Sequence, residues 1–171
     1  MRGGERNRID AAADRGGTAL GLALRVGAVD FAHQEGYNRS EEDVTIQRVV
    51  AALSDPIKKA FSDFNSAPIV ARSLFAEVGS SPEEDLYYTL DFDGDFHSLR
   101  RFAAIAGTEE TGIRLTDALA SFKPVEGTKA LRALKDIWHA SLPEDVSTEN
   151  YTTEAILLSR SADREDRFNV L

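Results

Sequence analysis

An all-α fold, a single compact domain of about seven or eight short helices with short connections, is what the sequence predicts. Three observations carry this expectation. Ile46, Val49, Val50 and Leu53 recur at helical spacing. Helix-start signals pairing Ser with Pro recur at Ser54-Asp55-Pro56, Ser66-Ala67-Pro68 and Ser81-Pro82. Gly or Pro closes most of the apolar-periodic runs, as at Gly36, Gly79, Gly107 and Pro143.

Residues 1–17 carry Arg2, Arg6, Arg8 and Arg15 among glycines and read as a flexible N-terminal segment ahead of one helical domain over 18–171. Thr18 is placed to cap a helix running to about Gln34. Leu20, Leu24 and Phe31 fall on one side of it and Leu22, Val26 and Val29 on another, the pattern of a helix buried between neighbours. Gly21 and Gly27 suit the close approach of another helix. Ser40-Glu41-Glu42-Asp43 resembles a capping box, with acids in the first turn where the helix dipole favours them, ahead of the stripe Ile46, Val49, Val50, Leu53. The Ser54 signal predicts a separate short helix presenting Ile57, Phe61 and Phe64. The Ser66 signal predicts another, with Ile69, Val70, Leu74, Phe75 and Val78.

Leu86–Phe92 supports two readings. Leu86, Tyr88, Leu90 and Phe92 alternate as a strand does, while the Ser81-Pro82 signal just upstream favours a helix to about Leu90. The helix is preferred; the alternative is an α+β fold with a small hairpin or strand around residues 86–92 and 151–158. Leu99, Phe102, Ala103 and Ile105 predict a helix closed by Gly107. Thr108 starts the next, with Leu115, Leu119 and Phe122 inward, and Thr128 a further one, with Leu131, Leu134, Ile137 and Trp138 inward. Residues 159–167 alternate in charge and read as a solvated helical end, and Phe168–Leu171 is apolar enough to dock.

The formal net charge is −9 and the pI about 4.8 over 171 residues. Such an excess repels nucleic-acid phosphates, so direct DNA or RNA binding is not expected, whereas a basic protein partner or a divalent cation suits it. With no cysteine, disulfides, thiol catalysis and Cys-ligated zinc are excluded. Thr18–Ala32 is apolar but short, and is interrupted by Arg25 and Asp30. Asp10 and Asp14 sit where a signal peptide carries positive charge, and the protein reads as soluble and cytoplasmic with no membrane partner.

The sharpest local signal is Asp91-Phe92-Asp93-Gly94-Asp95. Carboxylates at alternate positions, hinged by a glycine, are able to converge on one hard cation such as Mg²⁺ or Ca²⁺, which makes Asp91, Asp93 and Asp95 the candidate metal ligands. The run resembles the start of an EF-hand loop, although Phe96 and Phe102 stand where that loop carries its Gly and its bidentate Glu. It is similar to the first motif of haloacid-dehalogenase-like phosphatases, with Asp95 in place of Thr, and to the metal-binding run of multisubunit RNA polymerases. The first two resemblances imply metal binding or phosphate-ester chemistry at these aspartates. The competing reading is a plain acidic turn, with Gly94 at positive φ and Asp95 or Ser98 capping the next helix. Arg100-Arg101 is placed to hold a phosphate or to pair with Asp95, Glu109 or Glu110. No HExxH, Gly-x-Ser-x-Gly or phosphate-binding loop occurs, and His33, His97 and His139 lack partners at catalytic spacing.

Two functions suit these features. The first, leaning away from catalysis, is a small acidic interaction or regulatory protein, of the inhibitor or immunity type, gripping a basic partner through Glu41, Glu42, Asp43, Glu83, Glu84, Asp85, Glu109 and Glu110. It needs no cofactor. The second is a metal-dependent enzyme acting on phosphate esters, with Mg²⁺ or Ca²⁺ at the three aspartates.

Overall fold

The first part of the chain is assembled on one helix, Ile46–Ser62, α2. Its residues Ile46, Val49, Val50, Leu53 and Ile57 are all buried and lie on one face, as their spacing predicts. Thr45 caps it, the side chain accepting from the Arg48 amide at 3.4 Å. The Glu77 carboxylate, thirty-one residues on, accepts from the Ile46 amide at 3.4 Å. An anion thus meets the free N–H groups at the positive end of the helix. The computed structural model describes residues 19–39, 44–63, 65, 70–123, 125, 128–160 and 168–170. The chain divides into two compact units, Met1–Ala103 and Ala104–Leu171.

In the first unit α1, Ala19–Asn38, packs on α2 through Leu24, Ala28 and Ala32, all buried. Gly27 lets the two helices approach, since a Cβ there would stand 3.2 Å from the Leu53 side chain. Glu35 is held between Arg39, at 3.5 Å, and Arg48 of α2. Three strands follow: β1, Ser73–Glu77, β2, Leu86–Leu90, and β3, Phe96–Leu99. They form an antiparallel meander with β2 in the centre, Phe75 opposite Tyr88 and Leu90 opposite Phe96. Phe75, Tyr88 and Leu90 alternate onto one buried face, and α2 lies against all three strands.

The second unit holds α3, Glu109–Ser121, α4, Thr128–Ser141, and a two-stranded antiparallel pair, β4, Ile156–Leu158, with β5, Phe168–Val170. Thr108 caps α3, its side chain accepting from the Thr111 amide at 3.3 Å. The Trp138 ring on α4 meets the Tyr151 ring edge-on at 5.1 Å. Leu115 is the only buried apolar residue among the described residues of this unit. No helix among the described residues is long and apolar enough to cross a membrane.

These elements correct the all-α expectation: the described residues hold four α-helices and five strands in two sheets, an α+β arrangement. The Ser54 signal opens no new helix. α2 runs on through Pro56, because Leu53 and Ile57 continue one buried stripe and hold the two turns in register. The Ser81-Pro82 signal makes a single 3-10 turn, Pro82–Glu84, after which the chain extends into β2. There the alternation of Leu86, Tyr88 and Leu90 prevails, because pairing on both sides satisfies the backbone of β2 and buries one face against α2. Leu74, Phe75 and Leu99, assigned to helices from the sequence, lie in β1 and β3 for the same reason. The N-terminal segment 1–17, the acids Glu41, Glu42 and Asp43, and the Ser66-Ala67-Pro68 signal lie outside the described residues.

Two measurements check this core. Ile57 is fully buried between α2 and its neighbours; Ile57→Ala is expected to lower the unfolding free energy by about 2–5 kcal/mol in chemical denaturation. Burial pushes the Tyr88 phenol above its ordinary value of 10.0; the Glu77 carboxylate acts in the same direction and Arg100 in the other. The folded state thus holds this proton more tightly than the unfolded state does. The stability it contributes is intact below pH 10.0 and is lost as the pH climbs through the folded-state value. In an ultraviolet titration a late phenol ionisation is expected, and Tyr88→Phe should remove that late step.

Candidate functional site

The acidic run forms the turn between β2 and β3. The Asp91 amide donates to the Asp95 carbonyl at 2.8 Å and the Gly94 amide to the Asp91 carbonyl at 3.0 Å, which closes a tight loop. Gly94 has φ 85, in the left-handed region. It also lies flat on α2: a Cβ added there would stand 2.8 Å from the Ser54 carbonyl and 2.9 Å from the Lys58 amide nitrogen. Both requirements exclude any side chain at this position. The buried Ser54 hydroxyl donates to the Gly94 carbonyl at 2.5 Å, tying helix to turn across forty residues of chain.

Each aspartate of the run is engaged separately. Asp91 Oδ1 accepts from Arg72 Nε at 2.6 Å. Arg72 also lies over the Phe92 ring, 5.8 Å from its centroid, and Phe92 meets Phe61 of α2 at 5.9 Å. Asp93 Oδ1 accepts from the Asp95 amide at 2.9 Å, an Asx-type turn. Asp95 pairs with Lys58 of α2 at 3.1 Å. The three carboxylates therefore face a cation on β1's approach, their own backbone and a cation on α2, and do not converge. No group of three or more His, Asp and Glu side chains placed to hold a metal ion occurs among the described residues. The expectation of a metal centre at Asp91, Asp93 and Asp95 is corrected accordingly: the turn fastens the hairpin to the helix.

The remaining candidate residues are dispersed. Glu83 and Glu84 sit in the exposed 3-10 turn. The Glu84 carboxylate accepts from the Ser80 amide and the Asp85 carboxylate from the Gly79 amide, both at 2.9 Å, so two of these acids brace the β1–β2 connection. Gly79 is required there because a Cβ would stand 2.8 Å from the Glu84 carbonyl carbon. Arg100 donates to the Glu83 carbonyl, and Arg101 adopts φ 71 beyond the end of β3. Glu109 and Glu110 occupy the exposed first turn of α3 in the second unit, Glu110 paired with Arg114 at 2.5 Å. Sequence reasoning missed Ser54 and Arg72. Ser54 had a signal: it is a polar residue at i+4 from Val50 and i−3 from Ile57, inside the apolar stripe, and such a residue needs a buried partner.

The chain is similar to proteins named proteasome subunit alpha. It is 36% identical to that of Thermobifida fusca over 111 residues, 64% of this chain and 43% of the relative. It is 34% identical to that of Xylanimonas cellulosilytica over 95 residues, 55% of this chain and 38% of the relative. With that of Acidothermus cellulolyticus it shares 30% identity over 115 residues, 67% of this chain and 48% of the relative. The chain spans less than half the length of these curated relatives. No protein-family model matches it. These relatives overturn both functions expected from the sequence, the acidic inhibitor and the metal-dependent enzyme acting on phosphate esters.

The structural role of the turn has a direct test. Gly94→Ala should cost about 1–3 kcal/mol from the left-handed backbone alone, with the close approach to α2 adding to it. Ser54→Ala, which leaves the Gly94 carbonyl without its donor, should cost about 1–3 kcal/mol. Asp93→Asn keeps an acceptor for the Asp95 amide and should stay within about 0.5 kcal/mol of the parent in the same denaturation assay.

Proposed function

We propose that this chain is a component of a proteasome-type assembly, a subunit that acts by joining other protein subunits. The observation that carries the reading is the 36% identity over 111 residues to the Thermobifida fusca proteasome subunit alpha. The surface of the second unit supports it. Ile113, Leu134, Leu157 and Val170 are exposed there, while Leu115 alone among the described residues of that unit is a buried apolar residue. Apolar side chains exposed in this way gain stability when they are buried against another protein. The acidic excess suits a partner that is basic where it meets exposed carboxylates such as Glu109 of the second unit. The cytoplasm is the compartment we infer for the assembly, in keeping with the cysteine-free composition.

The test is capture of the tagged full chain from its native host, followed by native mass spectrometry of the intact complex. The expected result is a species well above the 18.7 kDa of the chain alone, with proteasome subunits identified in it at fixed stoichiometry. Recovery of the chain solely as a monomer, or solely with proteins unrelated to proteasome subunits, overturns the reading.

A further inference from the structure

Two aromatic side chains meet at the carboxyl end of α4, within the second unit. Trp138 lies in the last turn of that helix. The chain comes back to it through the 3-10 turn Thr148–Asn150, which sets Tyr151 against its ring. The ring planes are nearly perpendicular, at 78° with centroids 5.1 Å apart. Neither ring is drawn fully inside: Tyr151 is 51% exposed and Trp138 half-buried. Tryptophan and tyrosine each join a large apolar ring to an electron-rich face, and they are enriched among the side chains that anchor one protein on another.

The charges along the same stretch say what the pair would take. Asp136, Glu144, Asp145, Glu149 and Glu154 are all exposed, and no Lys or Arg occurs between Asp136 and Glu154. None of these acids forms an ion pair with another described residue. Glu149 belongs to the turn that delivers Tyr151, so a carboxylate stands two residues from that ring. The last carbonyls of α4 add the negative end of a helix dipole beside Trp138. Arg114 of α3 reaches the Leu142 carbonyl at 3.5 Å, but its charge is shared with Glu110. His139 meets the Trp138 ring edge-on at 4.9 Å.

These carboxylates do not gather as a metal site, since no group of three or more His, Asp and Glu side chains placed to hold an ion occurs among the described residues. Dispersed carboxylates around an exposed aromatic pair suit a broad, weakly hydrated cation instead. The arginine guanidinium is such a group, because it stacks on a ring face while its N–H groups donate to carboxylate oxygens. We propose that Trp138 and Tyr151 anchor an arginine side chain of a basic segment on a partner protein, with Glu149 and its neighbouring acids holding the rest of that segment. The inference goes beyond the assembly reading above, because it stands on the second unit alone and holds for any partner that presents such a segment.

The experiment uses the purified full chain and a synthetic probe, acetyl-tetra-arginine amide. Trp138 is the chain's one tryptophan, so its fluorescence reports the site directly. A saturable change in emission is expected, and the apparent Kd should weaken by roughly tenfold between low salt and about 0.5 M. The citrulline peptide of equal length, similar in shape but uncharged, should leave the emission unchanged. By calorimetry, Tyr151→Ala should weaken binding by about fivefold or more, while Tyr151→Phe, which keeps the ring, should stay within about twofold. Glu149→Gln should weaken it by about threefold, and Asp55→Asn, an exposed acid of the first unit, should leave it unchanged. Circular-dichroism melts check that each variant folds; Tyr151→Phe and Glu149→Gln carry the test if Tyr151→Ala does not. An emission that tetra-arginine does not alter overturns the proposal, and so does equal binding of the citrulline peptide. So does an Asp55→Asn loss as large as that of Glu149→Gln, since net charge alone would then account for the binding. The titration needs no proteasome subunit and the capture needs no peptide, so the failure of one reading leaves the other standing.

Discussion

The contact between α2 and the β1–β2–β3 meander is the constraint on which the rest of the first unit depends. A three-stranded sheet of short strands has one face to bury, and here Phe75, Tyr88 and Leu90 present it to the stripe Val49, Val50, Leu53 and Ile57. Hydrophobic burial supplies the attraction but is not directional. Direction comes from the polar contacts at either end of the helix. Glu77 from β1 holds the amino-terminal end, while Ser54, Lys58 and Phe61 hold the β2–β3 turn further along. A sheet able to slide or rotate on a greasy helix is thereby fixed in one register.

That anchoring explains why the acidic run is better suited to architecture than to chemistry. A metal site needs its carboxylate oxygens free and convergent. The aspartates of this turn are turned outward to Arg72 and Lys58 or inward to the Asp95 amide. Gly94 could not be replaced without moving the helix backbone away. The same composition that reads as ligand chemistry in one dimension is, in three, an ion-paired clasp between a hairpin and a helix. The acids Glu84 and Asp85 have a similar use, bracing the connection that brings β1 back as β2.

Several apolar residues are left on the outside of each of the two units. The outer side of α1 and the exposed residues of α3, α4, β4 and β5 are surfaces whose burial would stabilise a partnered state over an isolated one. Those in the second unit are scattered, and Leu115 is the one apolar residue buried there among the described residues.

Much that is local was legible from the residues alone. The α2 stripe, the Thr108 cap of α3, the close approach at Gly27 and the alternation within Leu86–Leu90 all depend on residues a few positions apart, where periodicity and capping rules operate. The strand identity of β1, β2 and β3, the passage of α2 through Pro56 and the role of the aspartates depended on partners far along the chain. Arg72 reaches Asp91 across nineteen residues and Ser54 reaches Gly94 across forty. A helix satisfies its backbone within its own turns, so its pattern is self-contained. A strand and an ion pair are satisfied only by what tertiary folding brings beside them, and no local spacing carries that information.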